Sequence, residues 1–266
     1  MQGKNLESIV IRDGNRNILS EQIRILRTNL SYYGLSDKNN KILVTSSISG
    51  EGKSFTAINL AISLSLTGKK VMLLELDLRK PKISGVFGTS STAIGITNYL
   101  TGSVELDSIV NKPIEFNNLF YISAGPIPPN PTELIGGEKF STLIVEISKF
   151  YDYIIMDSPP AGLVSDSFII SKYADITLYV IRHDTTPKRY LGFIDELIKS
   201  NKFSNMAILF NGLKPRGFSG YGSKYGYGYG YGYGYGYGYG GSNYYIPDKG
   251  HTKFTWLNKL FKKNKV

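Results

Sequence analysis

The chain has 266 residues, of which 41% are apolar and 20% charged, a net charge of +10 and no cysteine, enough for one full α/β core with an appendage. Without cysteine there is no disulfide framework, thiolate zinc site or thiol nucleophile, and two histidines, His183 and His251, could barely supply a metal site. No apolar run approaches the roughly 18 residues of a spanning helix and no charged-then-apolar leader opens the chain, so the expected compartment is the cytoplasm.

The first expected element is a helix over about residues 20–34. There Leu19, Ile23, Leu26 and Leu30 make an apolar stripe, while Glu21, Arg24 and Arg27 span about 120° of another face. By itself this is a solvated face beside a core stripe. Six apolar runs follow: KILVTSS (41–47), VMLLEL (71–76), LFYIS (119–123), YDYIIMD (151–157), ITLYVIR (176–182) and MAILFN (206–211). Runs of four to six apolar residues without alternation mark strands covered on both faces, and the spacings leave room for crossover helices. The expected fold is a doubly wound, mostly parallel α/β sheet of the P-loop NTPase type over residues 1–213.

Between the first strand and an apolar helix lies SISGEGKS, residues 47–54. It matches G-x-x-x-x-G-K-S/T, with Ser47 in place of the first glycine. Gly50 and Gly52 let backbone N–H groups wrap a β-phosphate, Lys53 reaches the β- and γ-phosphates, and Ser54 offers a hydroxyl to Mg²⁺. Ser49, Glu51 and Phe55 complete the expected nucleotide contacts. VMLLELDLRKP then places Glu75, Asp77 and Arg79 at the end of a second strand, and YDYIIMDSPP ends the fourth strand on Asp157. An open parallel sheet presents its ligand groups at such ends. Three acids converging there would repel one another unless a cation sat among them.

After residue 213 the composition changes. From 214 onward nine Lys or Arg stand against one acid, Asp248, a net +8 that leaves +2 for the remainder. The body therefore gives no support to nucleic-acid binding. Within this stretch Tyr and Gly alternate, with eleven tyrosines: Tyr221, Tyr225, Tyr227, Tyr229, Tyr231, Tyr233, Tyr235, Tyr237, Tyr239, Tyr244 and Tyr245. Half-glycine sequence loses too much backbone entropy to hold a helix or lone strand, so residues 214–266 are expected to be a disordered, basic tail displaying phenols. On composition alone a spacer or adhesive tract is the favoured reading.

Together the P-loop, ELDLRKP, IIMDSPP and the stretch GPIPPNPTELI (125–135) resemble the bacterial tyrosine kinases that regulate capsule and exopolysaccharide synthesis, over roughly residues 5–213. The three nucleotide segments correspond to that family's Walker A, A′ and B motifs. The resemblance implies ATP and Mg²⁺ as cofactors, with Lys53 and Ser54 on phosphate and metal, Asp77 and Asp157 holding the metal, and Arg79 stabilising the site. It also implies that the first acid of the A′ motif accepts the tyrosine proton. The usual residue there is Asp; here it is Glu75, one methylene longer. Asn211 falls where related P-loop ATPases recognise adenine. Glu21, Arg24 and Arg27 fit the E-x-x-R-x-x-R segment of the family's subunit interface, which implies a homo-oligomeric ring, an octamer in the family. The tyrosine cluster would then be phosphorylated between subunits, a substrate tethered at high effective concentration. Further implied partners are a membrane adaptor of the polysaccharide co-polymerase type, fused or separate, and a phosphotyrosine phosphatase, at the inner face of the cell membrane. Two rival readings remain: a partitioning-type ATPase, which the Ile48 in place of a signature lysine argues against, and a nucleotide-binding scaffold without kinase activity.

Overall fold

A computed structural model of the chain describes residues 8–12, 17–89 and 93–213; the tyrosine cluster and the basic end lie outside them. Seven strands form one sheet: β1 (Lys41–Ser46), β2 (Val71–Glu75), β3 (Val110–Asn111), β4 (Leu119–Ile122), β5 (Tyr153–Asp157), β6 (Ile176–Arg182) and β7 (Met206–Asn211). Their order is β3-β4-β2-β5-β1-β6-β7, and every pairing is parallel except β3 with β4. The helices are α1 (Ile18–Tyr32), α2 (Lys53–Ser65), α3 (Ile83–Phe87), α4 (Ile96–Leu100), α5 (Pro131–Gly136), α6 (Glu138–Ile147), α7 (Asp166–Ile170) and α8 (Arg189–Lys199). All six strands expected from the apolar runs are present. β3 escaped notice because two residues leave no periodicity to read.

The unbroken apolar runs have a simple cause. Successive strand residues point to opposite faces, and both faces are covered: Ile42, Val44, Val71, Leu73 and Ile155 pack on one side, Leu43, Met72, Leu74, Ile154 and Met156 on the other. β7, at the edge, departs from this and exposes Ile208 and Phe210 alternately. With β1, β2 and β5 adjacent and parallel, their C-terminal ends bring residues 46, 75 and 157 to one rim of the sheet.

Helix α1 starts two residues earlier than expected because Asn17 caps it, its side chain accepting from the Ser20 N–H at 2.7 Å. It packs on α2 through Ile23 and Leu30, but Leu19, assigned to the apolar stripe, is 53% exposed. Ser20, in the same turn, is fully buried instead, so the buried face runs through Ser20, Ile23 and Leu30 and leaves Leu19 at its edge. Of the three charged residues assigned to a subunit surface, Glu21 and Arg24 pair with each other at 3.2 Å. Arg27 instead donates to the Ser63 carbonyl of α2 at 2.6 Å, and burial lowers its pKa, helped by Arg24 nearby. Arg27 thus fastens α1 to α2 within one subunit. Arg27→Ala is expected to cost about 1 kcal/mol, a charged hydrogen bond discounted for partial exposure. Glu21→Ala and Arg24→Ala should each stay within about 0.5 kcal/mol; urea unfolding of dilute protein measures all three.

Candidate phosphoryl-transfer site

The chain leaves β1, turns through residues 47–52 and enters α2 at Lys53. Gly52 caps α2 in the left-handed region, φ +100°, with no side-chain cap, so the first amides of a 13-residue helix stay open to an anion. A Cβ on Gly52 would also lie 2.2 Å from the Asn211 side-chain nitrogen. Only glycine satisfies both conditions.

Around this loop the structure builds a brace that motif reading did not anticipate. Glu51 is fully buried, its carboxylate accepting from the Ile48 N–H at 2.7 Å and from the Thr186 hydroxyl. Arg182 donates to the Gly50 carbonyl at 3.0 Å, and the Asn211 side-chain amide to the Glu51 carbonyl at 2.9 Å. Behind the loop, the Tyr179 hydroxyl donates to Ser47 Oγ at 3.1 Å. The Glu51 carboxylate therefore shapes the loop from inside, while Asn211 reaches the P-loop backbone. Ser49 and Gly50 form the exposed crest, and Phe55 is half-buried on the first turn of α2.

Lys53 lies at the centre. Its Nζ is 2.7 Å from Asp77 Oδ2, 3.7 Å from Asp157 Oδ1 and 3.5 Å from Ser54 Oγ. Burial opposes its charge, but attraction to Asp157 and Asp77 outweighs that and raises its pKa. Lys53 itself is thus a cation among the converging acids. Asp157 is the less satisfied partner: both carboxylate oxygens are buried without a hydrogen bond. Its pKa is pushed up to about 6, burial outweighing the pull of Lys53.

Those two oxygens, with Asp77 and the Ser54 hydroxyl, suit a hard cation that takes oxygen ligands. Among the described residues no group of three or more His, Cys, Asp or Glu is arranged to hold a metal. A partial set of this kind fits Mg²⁺, which keeps waters and substrate phosphates in its shell.

Glu75 and Arg79 are placed differently from Asp77. Glu75, at the end of β2, is fully buried. One carboxylate oxygen accepts from the N–H groups of Lys82 and Ile83 and, at 3.4 Å, Ser84; the other accepts from Ala124 at 2.9 Å. Burial raises its pKa despite these amides. Arg79 turns to Asp166, with contacts of 3.0 and 3.3 Å, and to the Thr132 hydroxyl at 3.0 Å. Thr132 also donates to Asp166 at 2.7 Å. Asp166 was absent from the expected site. It opens a short helix, where an acid reads as an ordinary cap. Arg182, ending the expected run 176–182, was open to notice as a group on the sheet's ligand-binding rim.

Beside Asp77 an open cleft is lined by Ser49, Asp77, Arg79, Lys80, Pro159, Pro160, Leu163 and Val164. Glu75 is not among the lining residues. The turn carrying the prolines is pinned: Ala161 N–H donates to the Ser46 carbonyl at 2.8 Å, and Thr45 Oγ1 to the Pro159 carbonyl at 2.9 Å.

Residues 39–182 match a family model described as an AAA domain. The chain is 34% identical to the tyrosine-protein kinase YwqD of Bacillus subtilis over 207 residues, covering 78% of this chain and 86% of that protein. It is 36% identical to the tyrosine-protein kinase CpsD of Streptococcus agalactiae over 195 residues, 72% of this chain and 81% of that one. Against the tyrosine-protein kinase wzc of Salmonella typhi it is 36% identical but spans 24% of that protein's length. Among solved structures, the kinase domain of the Escherichia coli tyrosine kinase ETK superposes with a TM-score of 0.69 at 28% identity, over 78% of this chain and 80% of that one. The septum site-determining protein MinD of Pyrococcus horikoshii, complexed with Mg-ADP, reaches 0.52 at 22% identity over 64% of this chain and 68% of that one, a likeness of fold alone.

Proposed function

The chain belongs to the bacterial tyrosine-protein kinases, and from that premise we propose that it transfers the γ-phosphoryl group of ATP to tyrosines 221–245 of a neighbouring copy. Through this, it regulates capsule or exopolysaccharide synthesis. The observation that carries the reading is Lys53 held between Asp77 and Asp157 at the mouth of a helix-capping glycine loop.

Phosphoryl transfer needs positioning and charge stabilisation more than covalent chemistry from the protein. The open amides of α2 and the glycine loop receive the β-phosphate, and Lys53 exchanges Asp77 for the γ-phosphate oxygens as nucleotide enters. That exchange frees Asp77 on the cleft side. Asp157, Asp77 and Ser54 would hold Mg²⁺, which would supply positive charge to offset that of the phosphates. The acceptor ring enters along the apolar wall of Pro160, Leu163 and Val164. Its phenol oxygen bonds to the γ-phosphorus as the bond to the β–γ bridging oxygen breaks. ADP leaves, and the phenol proton passes to an oxygen of the transferred phosphoryl group.

Assembly into a ring through the α1 face, an adaptor at the membrane and an opposing phosphatase belong to the same proposal. No helix among the described residues is long and apolar enough to cross a membrane.

Transfer between copies has a direct test. A Lys53→Met chain, able to accept but not to donate, is mixed with a chain whose eleven cluster tyrosines are Phe, able to donate but not to accept. With Mg-ATP, phosphotyrosine is expected on the Lys53→Met chain in the mixture and on neither chain alone. A mixture that stays unlabelled while wild-type protein labels itself would show that each subunit modifies its own tail.

A further inference from the structure

The geometry points to Glu75 as a positioning residue that fixes the Asp77 segment, with no part in taking the acceptor's proton. This rests on the kinase reading, and it concerns how the cleft is held in shape. Residues 76–82 leave β2 and return at the start of α3, carrying Asp77, Arg79 and Lys80 between two fixed ends. Glu75 joins those ends. From the last position of β2 its carboxylate takes the first amides of α3 on one oxygen and the Ala124 N–H beyond β4 on the other.

The segment is tied further at its start and within. Leu76 N–H donates to the Asp157 carbonyl at 2.8 Å, and Lys80 N–H to Asp77 Oδ1 at 3.1 Å. Leu76 and Leu78 anchor the segment in the core, both fully buried. The segment is therefore held by its ends and by alternate residues, and Asp77 is directed at Lys53 by that frame. A carboxylate whose oxygens are occupied by amide donors, buried and off the cleft wall, is badly placed to meet a phenol. Its extra methylene, about 1.5 Å of reach, is what lets one side chain span two sets of amides on different elements.

The two roles order two variants oppositely. If Glu75 braces the segment, Glu75→Asp cannot reach both amide sets, and Asp77 is misplaced. Glu75→Gln keeps length and one acceptor oxygen; with that oxygen on the α3 amides, its NH₂ faces the single Ala124 N–H, donor against donor, and only that contact is lost. If Glu75 were the proton acceptor, Glu75→Asp would retain a carboxylate and Glu75→Gln would remove it, a loss of about 10²- to 10⁴-fold. The readout is kcat at saturating Mg-ATP on a Glu-Tyr copolymer, so that a failure of tail phosphorylation is seen separately in the labelling of the chain itself. Affinity for a fluorescent ADP is measured alongside.

We expect Glu75→Asp to lose about 10²-fold in kcat, the scale of a 1 Å misplacement. Glu75→Gln should stay within about tenfold of wild type, the three amides at the start of α3 remaining satisfied by its oxygen. Both should bind ADP as wild type does, the P-loop being untouched. A Glu75→Gln loss equal to or deeper than that of Glu75→Asp overturns the proposal. So does full activity in both variants, or a parallel loss of ADP affinity. Near-isosteric Glu75→Gln keeps the question decidable even if Glu75→Asp does not fold, since the positioning role requires it to stay within about tenfold of wild type.

Discussion

Lys53→Met is expected to cut tyrosine phosphorylation by 10²- to 10³-fold at least, the usual cost, to order of magnitude, of removing one preorganised electrostatic contact. Lys53 pairs with both Asp77 and Asp157, and in the proposed cycle it becomes the clamp on the γ-phosphate. Its loss leaves two buried carboxylates without their cation. The Asp157 pKa, already raised to about 6, should climb further, so that at neutral pH the variant takes up a proton that the wild type does not. A folded carboxylate titrating above its unfolded value binds more protons than the unfolded chain, so stability falls as pH rises through the folded value. The variant should therefore melt lower than wild type at pH 8 and recover part of the difference near pH 5. Mass spectrometry of purified protein given Mg-ATP reads the first effect, and thermal unfolding at two pH values the second. Undiminished phosphotyrosine in Lys53→Met would remove Lys53 from the transfer step.

Asp157→Asn should separate activity from stability. Activity is expected to fall by a factor on the order of 10²–10³, because the carboxylate best suited to the metal is gone. Yet the nucleotide-free protein should become more stable. Asp157 is charged at neutral pH, although burial holds its pKa near 6 against the pull of Lys53 and the Ser54 hydroxyl. Charge there is carried at a cost, and neutralising it recovers on the order of 1–3 kcal/mol. Lys53 keeps Asp77 at 2.7 Å as its partner. The gain should be present at pH 7–8 and shrink as pH falls below about 6, where wild-type Asp157 protonates by itself. Added Mg-ADP should reverse the order by stabilising wild type more than the variant. Equal melting temperatures for the two nucleotide-free proteins at pH 8 would show that Asp157 carries no such strain.

These two residues were open to reading in the chain because their signals are local. Lys53 sits in a glycine loop between a strand and a helix, and Asp157 ends an apolar run. Glu75 carried an equally clear local signal, an acid ending VMLLE, but a local signal does not show which groups its carboxylate meets. Nothing in the sequence near Glu75 reveals that the Ala124 amide, 49 positions away, lies against it.

The sequence by itself determined the doubly wound sheet, its six long strands and the place of the phosphate loop. Those follow from hydrophobic burial on two faces and from backbone conformations that only glycine tolerates, properties confined to a few neighbouring residues. The tertiary structure alone decided which polar groups face one another. Arg79 meets Asp166 across 87 positions, Asn211 meets Glu51 across 160, and the half-buried Arg27 meets a carbonyl of α2 across 36. The physical reason is that a buried charge or donor must find a partner wherever packing brings one. Which partner that is depends on the crossing of whole elements, and no short stretch of sequence encodes it.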